Sequence, residues 1–158
     1  MRVHELMTQQ IQSCRPDDSL ELAAQLMWDH DCGCIPVCAG DGASRTIGVI
    51  TDRDICMGAL FQGRPLRELR VSDAMARRLL ACRPQDTLAE AEKAMRDARI
   101  RRLPVLDDQG SLIGMLSLAD LAREAMREQS QPGRDLTEAE VNGTLAAICE
   151  PTRQALTA

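Results

Sequence analysis

The chain contains no tyrosine, one phenylalanine (Phe61) and one tryptophan (Trp28) in 158 residues. Single-stranded nucleic acids are held by stacking bases on aromatic faces, and this chain offers no such platform. Positive charge is also scarce. Nineteen Lys and Arg against 24 Asp and Glu give a net charge of −5. Binding dominated by phosphate neutralisation is therefore disfavoured, and no nucleic-acid partner is expected. No apolar run approaches the roughly 20 residues that a membrane span requires, so no membrane partner is expected either. His4 and Glu5 interrupt any charged-then-apolar leader, which makes a cytoplasmic location the expectation. Histidine is limited to His4 and His30, neither beside a recognisable nucleophile signature. With no phosphate-cradling P-loop or dinucleotide-binding glycine fingerprint, the expectation is a protein without catalytic residues.

What is present is ordinary for a globular chain: 44% hydrophobic and 27% charged residues, enough to bury a core as one domain or a tight pair. Seven cysteines are an odd number, which suits reduced thiols better than a disulfide framework. His30, Cys32, Cys34 and Cys38 invite a zinc reading. Their spacing is unfamiliar, and Cys34 and Cys38 flank an apolar strand, so core thiols are the expectation and no metal site is assigned. Lys93 is the sole lysine. Arg96, Arg99, Arg101 and Arg102 cluster ahead of the second Pro-Val pair. Guanidinium forks suit phosphate, although a solvated helix face would look the same.

The organising feature is a duplication. Cys14-Arg15-Pro16-Asp17-Asp18-Ser19-Leu20 returns as Cys82-Arg83-Pro84-Gln85-Asp86-Thr87-Leu88, at an offset of 68. Val3 to Met7 with Val71 to Met75, Met27 with Met95, and Ile35-Pro36-Val37 with Leu103-Pro104-Val105 keep that offset. Gly48 and Gly114 differ by 66, so one loop is two residues longer in the first copy. Leu20, Ala23, Ala24 and Met27 fall on one helical face, as do Leu88, Ala91, Met95 and Ala98. Thr87 and Glu90 form a capping box, whereas Leu22 stands where the first copy would need its acid, leaving Asp18 or Ser19 to cap alone. Residues 35–38 and 45–51 read as strands joined by a Gly40-Asp41-Gly42 turn, and residues 103–106 and 112–118 repeat them. Helices follow over about 54–60 and 119–129. Each copy is too small to bury its core alone, so the two should pack on each other.

Within each copy an apolar strand delivers a hydroxyl and, three residues on, a carboxylate: Gly48-Val49-Ile50-Thr51-Asp52-Arg53-Asp54 and Gly114-Met115-Leu116-Ser117-Leu118-Ala119-Asp120. Such a pair can hold a sugar, the acid accepting from vicinal hydroxyls while the alcohol bonds a neighbouring oxygen. The same residues can equally cap the following helix.

Hydrophobic-Pro-Val followed by Gly-x-x-Thr/Ser-x-x-Asp, twice over residues 1 to about 128, resembles the cystathionine β-synthase (CBS) domain family. The resemblance implies an α/β (α+β) fold of two βαββα repeats packed as a pseudo-twofold module, commonly dimerised. Repeats would span 1–68 and 69–130, with residues 131–158 as linker and helical tail. It further implies clefts for adenosine-containing ligands such as AMP, ATP, S-adenosylmethionine or NAD, with no required cofactor. Thr51 with Asp54 and Ser117 with Asp120 would hold ribose or phosphate oxygens. Ile35, Pro36 and Val37, and Leu103, Pro104 and Val105, would meet adenine, with Cys14 and Cys82 at the pocket edges. Arg53, Arg101 and Arg102 are the phosphate candidates. Ser117 departs from the commoner threonine, and Arg101-Arg102 replaces the first copy's Gly33-Cys34, so the two clefts should differ.

Two functions follow from the resemblance. One is a regulatory ligand-sensing module, complete without an attached catalytic domain and acting on a homodimer or on an unidentified protein partner. The other is a constitutive scaffold or dimerisation module without a physiological nucleotide. In the tail, Gln131-Pro132-Gly133 breaks the chain, Thr137 and Glu140 form a capping box stapled by Leu136 and Val141, and Pro151 ends the helix. Val141, Leu145 and Ile148 form its apolar stripe, which would serve docking to a partner or packing against its own module.

Overall fold

In the computed structural model the described residues are 1–40, 45–127 and 136–150. The order is α1 (Val3–Leu6), α2 (Leu20–Asp29), β1 (Cys34–Ala39), β2 (Arg45–Thr51), α3 (Asp52–Gln62), a 3-10 turn (Leu66–Glu68), α4 (Val71–Ala74), α5 (Leu88–Ala98), β3 (Arg102–Leu106), β4 (Leu112–Ser117), α6 (Leu118–Arg127) and α7 (Glu138–Cys149). This is the mixed helix-and-strand fold expected, with the same helix-strand-strand-helix order in both copies. β1 pairs antiparallel with β2, and β3 is hydrogen-bonded to β4 in a second two-stranded sheet. The leading strand of each copy is reduced to a parallel bridge, Cys14 to Val37 and Cys82 to Val105.

Local chemistry sets the boundaries. The Ser19 hydroxyl accepts from the Leu22 N–H at 3.1 Å and caps α2 alone, since no acid stands at position 22. Helices α3 and α6 begin at Asp52 and Leu118, earlier than the sequence suggested for α3, because Thr51 and Ser117 themselves cap them. Asp31 (φ 48°) and Arg99 (φ 55°), one repeat apart, both take the left-handed conformation just past α2 and α5. Asp41 and Gly42 of the expected turn, the Gln131-Pro132-Gly133 break, the end of α6 near Gln129 and Pro151 lie outside the described residues.

The backbone falls into two compact units that are not contiguous in sequence: residues 8–83 with 104–115, and residues 1–7 with 84–103 and 116 onward. The offset boundaries 1–68 and 69–130 describe the duplication in the chain rather than these units. In the first unit, α2 buries Leu20, Ala23 and Met27 at helical spacing against Ile35, Val37, Ile50 and Ile55. The segment that opens the second copy completes this core with Leu69, Val71 and Met75. It is held by Leu20 N–H to Leu69 O (2.9 Å), Val71 N–H to Asp18 O (2.8 Å) and Ser72 N–H to Pro16 O (2.9 Å). In the second unit the opening segment of the chain does the same for the second copy, with Val3 N–H to Asp86 O (2.9 Å) and His4 N–H to Pro84 O (3.0 Å). Each copy's leader thus supports the other copy's helix.

The motif glycine Gly48 has a steric reason. Val49 and Ala76 exchange backbone hydrogen bonds of 3.2 and 2.9 Å, which brings Ala76 across the strand. A Cβ at Gly48 would lie 2.4 Å from the Ala76 carbonyl oxygen and 2.7 Å from the Met75 methyl.

In the second unit α7 packs on α5 and α6. Thr137 and Glu140 form the expected capping box, and Leu136 and Val141 are buried. The apolar stripe is corrected at one position: Leu145 is exposed, and the buried face is Val141 with Thr144, flanked by the half-buried Ile148. Spacings i, i+3 and i+7 fit a helical face as well as i, i+4 and i+7, and the small Thr144 allows the closer approach. Its hydroxyl oxygen is buried with no hydrogen-bond partner among the described residues.

Two stability changes follow. Gly48→Ala should destabilise the protein by about 1–3 kcal/mol or more in a urea melt, because backbone, not a flexible side-chain end, must move. Thr144→Val keeps the shape and removes the unsatisfied hydroxyl, so it should raise stability by about 1 kcal/mol in the same assay.

Candidate functional site

Thr51 ends β2 opposite Cys34, and the Asp52 N–H donates to Gly33 O at 3.3 Å, so α3 starts beside the beginning of β1. Thr51 and Asp54 then bind one another. The Thr51 N–H (2.9 Å) and hydroxyl (2.7 Å) both donate to Asp54 Oδ2, while the Asp54 N–H donates to Thr51 Oγ1 at 3.2 Å. Asp54 is half-buried, and its other oxygen, Oδ1, has no partner among the described residues. The hydroxyl's proton is thus held inside the box, and Oδ1 is the acceptor left over among the described residues.

The second copy repeats the box and then departs from it. The Ser117 N–H (2.8 Å) and hydroxyl (2.6 Å) donate to Asp120 Oδ2, and the Asp120 N–H donates to Ser117 Oγ at 3.2 Å. Here the second oxygen accepts from the Arg123 guanidinium, one turn along α6. Asp120 is 8% exposed. The residue equivalent to Arg123 in the first copy is Met57. The helix-cap geometry is therefore present in both copies, with a carboxylate oxygen left over in one.

At the edge of the first set, the Cys14 N–H donates to Pro36 O (3.1 Å) and the Cys38 N–H to Cys14 O (2.9 Å). Cys82 makes the equivalent bonds with Pro104 (3.0 Å) and Leu106 (3.0 Å). Both thiols are buried, and Cys14 is pushed up to about 12 by that burial, with Asp18 and Cys38 adding to the shift. It is a neutral packing group. Ile35, Pro36, Val37, Leu103, Pro104 and Val105 are likewise buried.

Cys14, Ile35, Pro36, Val37, Thr51, Arg53 and Asp54 all fall in one compact unit. The second set is divided, with Cys82, Pro104 and Val105 in that unit and Arg101, Arg102, Leu103, Ser117 and Asp120 in the other. Of the phosphate candidates, Arg53 is exposed and Arg102 half-buried, and neither guanidinium has a partner among the described residues. Arg101 Nη2 lies 3.8 Å from the Cys149 sulfur, and Arg99 Nη2 lies 2.9 Å from Glu150 Oε2. The end of α7 thus engages the loop before β3. Neither Arg123 nor this engagement was read from the sequence. An arginine three residues after the motif acid was the available signal for the first. Among the described residues no group of three or more His, Cys, Asp or Glu is placed to hold a metal ion.

The CBS domain family model matches residues 3–58 and 71–127. The chain is 37% identical over 128 residues to CBS domain-containing protein YhcV of Bacillus subtilis, an alignment covering 81% of this chain and 88% of that protein. A crystal structure of CBSX2 in complex with AMP is similar at 26% identity and a TM-score of 0.69, over 81% of this chain and 98% of that one. The CBS domain pair of protein MJ0100, solved with 5′-methylthioadenosine and S-adenosyl-L-methionine, has the same fold at a TM-score of 0.69 and 21% identity, over 78% of this chain and 94% of that one.

Thiol chemistry checks the description of the site edge. A maleimide pulse on the folded protein at pH 8 should label the exposed Cys56 and Cys149 and leave Cys14 and Cys82 unmodified. Because the folded state holds the Cys14 thiol above its ordinary value near 9.0, stability should decline as pH rises beyond about 9. A Cys14→Ala variant should lose that part of the pH dependence.

Proposed function

This chain belongs to the CBS domain family, and from that premise we propose that it is a regulatory module that senses an adenosine-containing ligand of the AMP, ADP or ATP class. The observation that carries the reading is the unengaged Oδ1 of Asp54 beside the start of β1. A carboxylate oxygen there can accept from a ribose hydroxyl, and β1 begins opposite Thr51, the other member of the box, so its backbone is the candidate to meet a base. Arg53 supplies a positive charge with no partner among the described residues, one residue before the acid and suited to a phosphate. Relatives solved with AMP and with S-adenosyl-L-methionine support the ligand class.

The role is binding rather than catalysis. Ligand binding would favour one of two states of the module and change its affinity for a partner or a second copy by the difference in binding free energy. A homodimer in the cytoplasm is the form in which we expect it to act. Trp28 and Phe61, the chain's only aromatics, are 84% and 79% exposed, which suits a surface covered by association.

A second reading, a constitutive scaffold, is favoured by the capping boxes, since the alcohol and one acid oxygen of each are already used within the fold. Thermal shift separates the two. A ligand present at 100 times its Kd adds about 2.7 kcal/mol, which should raise the Tm by several degrees for a chain of this size. AMP, ADP, ATP, S-adenosylmethionine and NAD form the panel. A shift with at least one of them is the expected result, and no shift with any favours the scaffold.

A further inference from the structure

The two copies share a motif but not its state. In the first, Asp54 is half-buried, and neither one of its carboxylate oxygens nor the preceding Arg53 guanidinium has a partner among the described residues. In the second, Asp120 is almost wholly buried, both its oxygens are engaged, and Ala119 stands where the first copy has Arg53. The second copy's own arginines are occupied in part by the tail, Arg101 by Cys149 and Arg99 by Glu150.

We infer that the copies are unequal sites: a phosphorylated adenosyl ligand binds the first copy, on Asp54, while Arg123 closes the second copy to a ribose diol by holding the acid that would accept it. This rests on the ligand class proposed above and deepens it by naming the copy that binds and the residue that sets the difference. A neutral diol brings two donors and no charge, so at Asp120 it must share Oδ1 with the Arg123 guanidinium, which already takes one of that oxygen's lone pairs and shields its charge. At Asp54 it displaces no protein group. Asp120 itself is nearly buried while Arg123 lies over it from the exposed side, so the guanidinium stands where a ligand would approach that oxygen. Arg123 is thus a specificity-determining residue, and Met57 is the corresponding residue in the permissive copy.

Arg123→Met gives the second copy the first copy's residue, which makes the test direct. Isothermal titration of the full chain with AMP should show about one binding event per chain. Asp54→Asn, which keeps a capping oxygen but removes the charge, should weaken that event at least about tenfold. Arg123→Met should add a second event, raising the stoichiometry towards two, and adding Asp120→Asn to it should abolish the gain. Far-ultraviolet circular dichroism on each variant confirms that it is folded, and any variant that is not is replaced by Arg123→Gln or Asp54→Ser. Two equal events in the unaltered chain, an event untouched at Asp54→Asn, or no second event in Arg123→Met would each overturn the inference while leaving nucleotide sensing intact. No AMP binding to the unaltered chain, with no binding of ATP or S-adenosylmethionine, would remove the proposed ligand class and the inference together.

Discussion

At the end of each strand pair the chain closes a hydrogen-bonded loop on itself, from the alcohol of Thr51 or Ser117 to the acid three residues ahead and back to the backbone. The loop satisfies helix N–H groups that would otherwise lack partners, turns the strand into a helix without an intervening loop, and fixes the carboxylate's orientation. Everything proposed for the site follows from that orientation. With one acid oxygen committed to the box, the other must face elsewhere, and what it meets there separates the two copies.

The boxes stay in place because the sheets under them are pinned from outside their own repeat. Residues 69–76 add three apolar side chains and a two-bond backbone bridge to the first copy's core, and the approach of Ala76 leaves room only for glycine at position 48. Residues 3–4 make the equivalent hydrogen bonds to residues 84–86 in the other unit. A repeat of this size buries too little apolar surface to be stable alone, and borrowing a leader segment from the other repeat enlarges each core without lengthening the unit. The duplication is thus joined by exchange as well as by covalent connection.

Much of this was legible in the residues. The offset of 68, the apolar faces of α2 and α5, the strand pairs and the two capping boxes of Thr87 with Glu90 and Thr137 with Glu140 all follow from local periodicity and from side chains that act within four residues of themselves. What was not legible depends on partners distant in sequence. Val3 and Val71 read as equivalent, but nothing local says that each serves the other copy. Gly48 read as a motif position, and its reason emerged only with Ala76 across the strand. Leu145 falls on the apolar stripe of α7 by helical spacing, yet the face that packs on α5 and α6 buries Thr144 instead. Arg123 was within reach of a local reading, since i,i+3 pairs with an acid are a helix rule, but its meaning required seeing that Asp54 has no such neighbour.

The central claim is that the protein's free sugar-accepting group is the Oδ1 of Asp54, at the start of α3. Amide chemical-shift mapping during an AMP titration, on uniformly ¹⁵N-labelled full chain, tests it most directly. The account predicts saturable shifts concentrated at Gly33, Cys34, Thr51, Arg53 and Asp54, with Ser117, Asp120 and Arg123 moving little. Shifts centred on Ser117 and Asp120, or no saturable shift in either box, would contradict it.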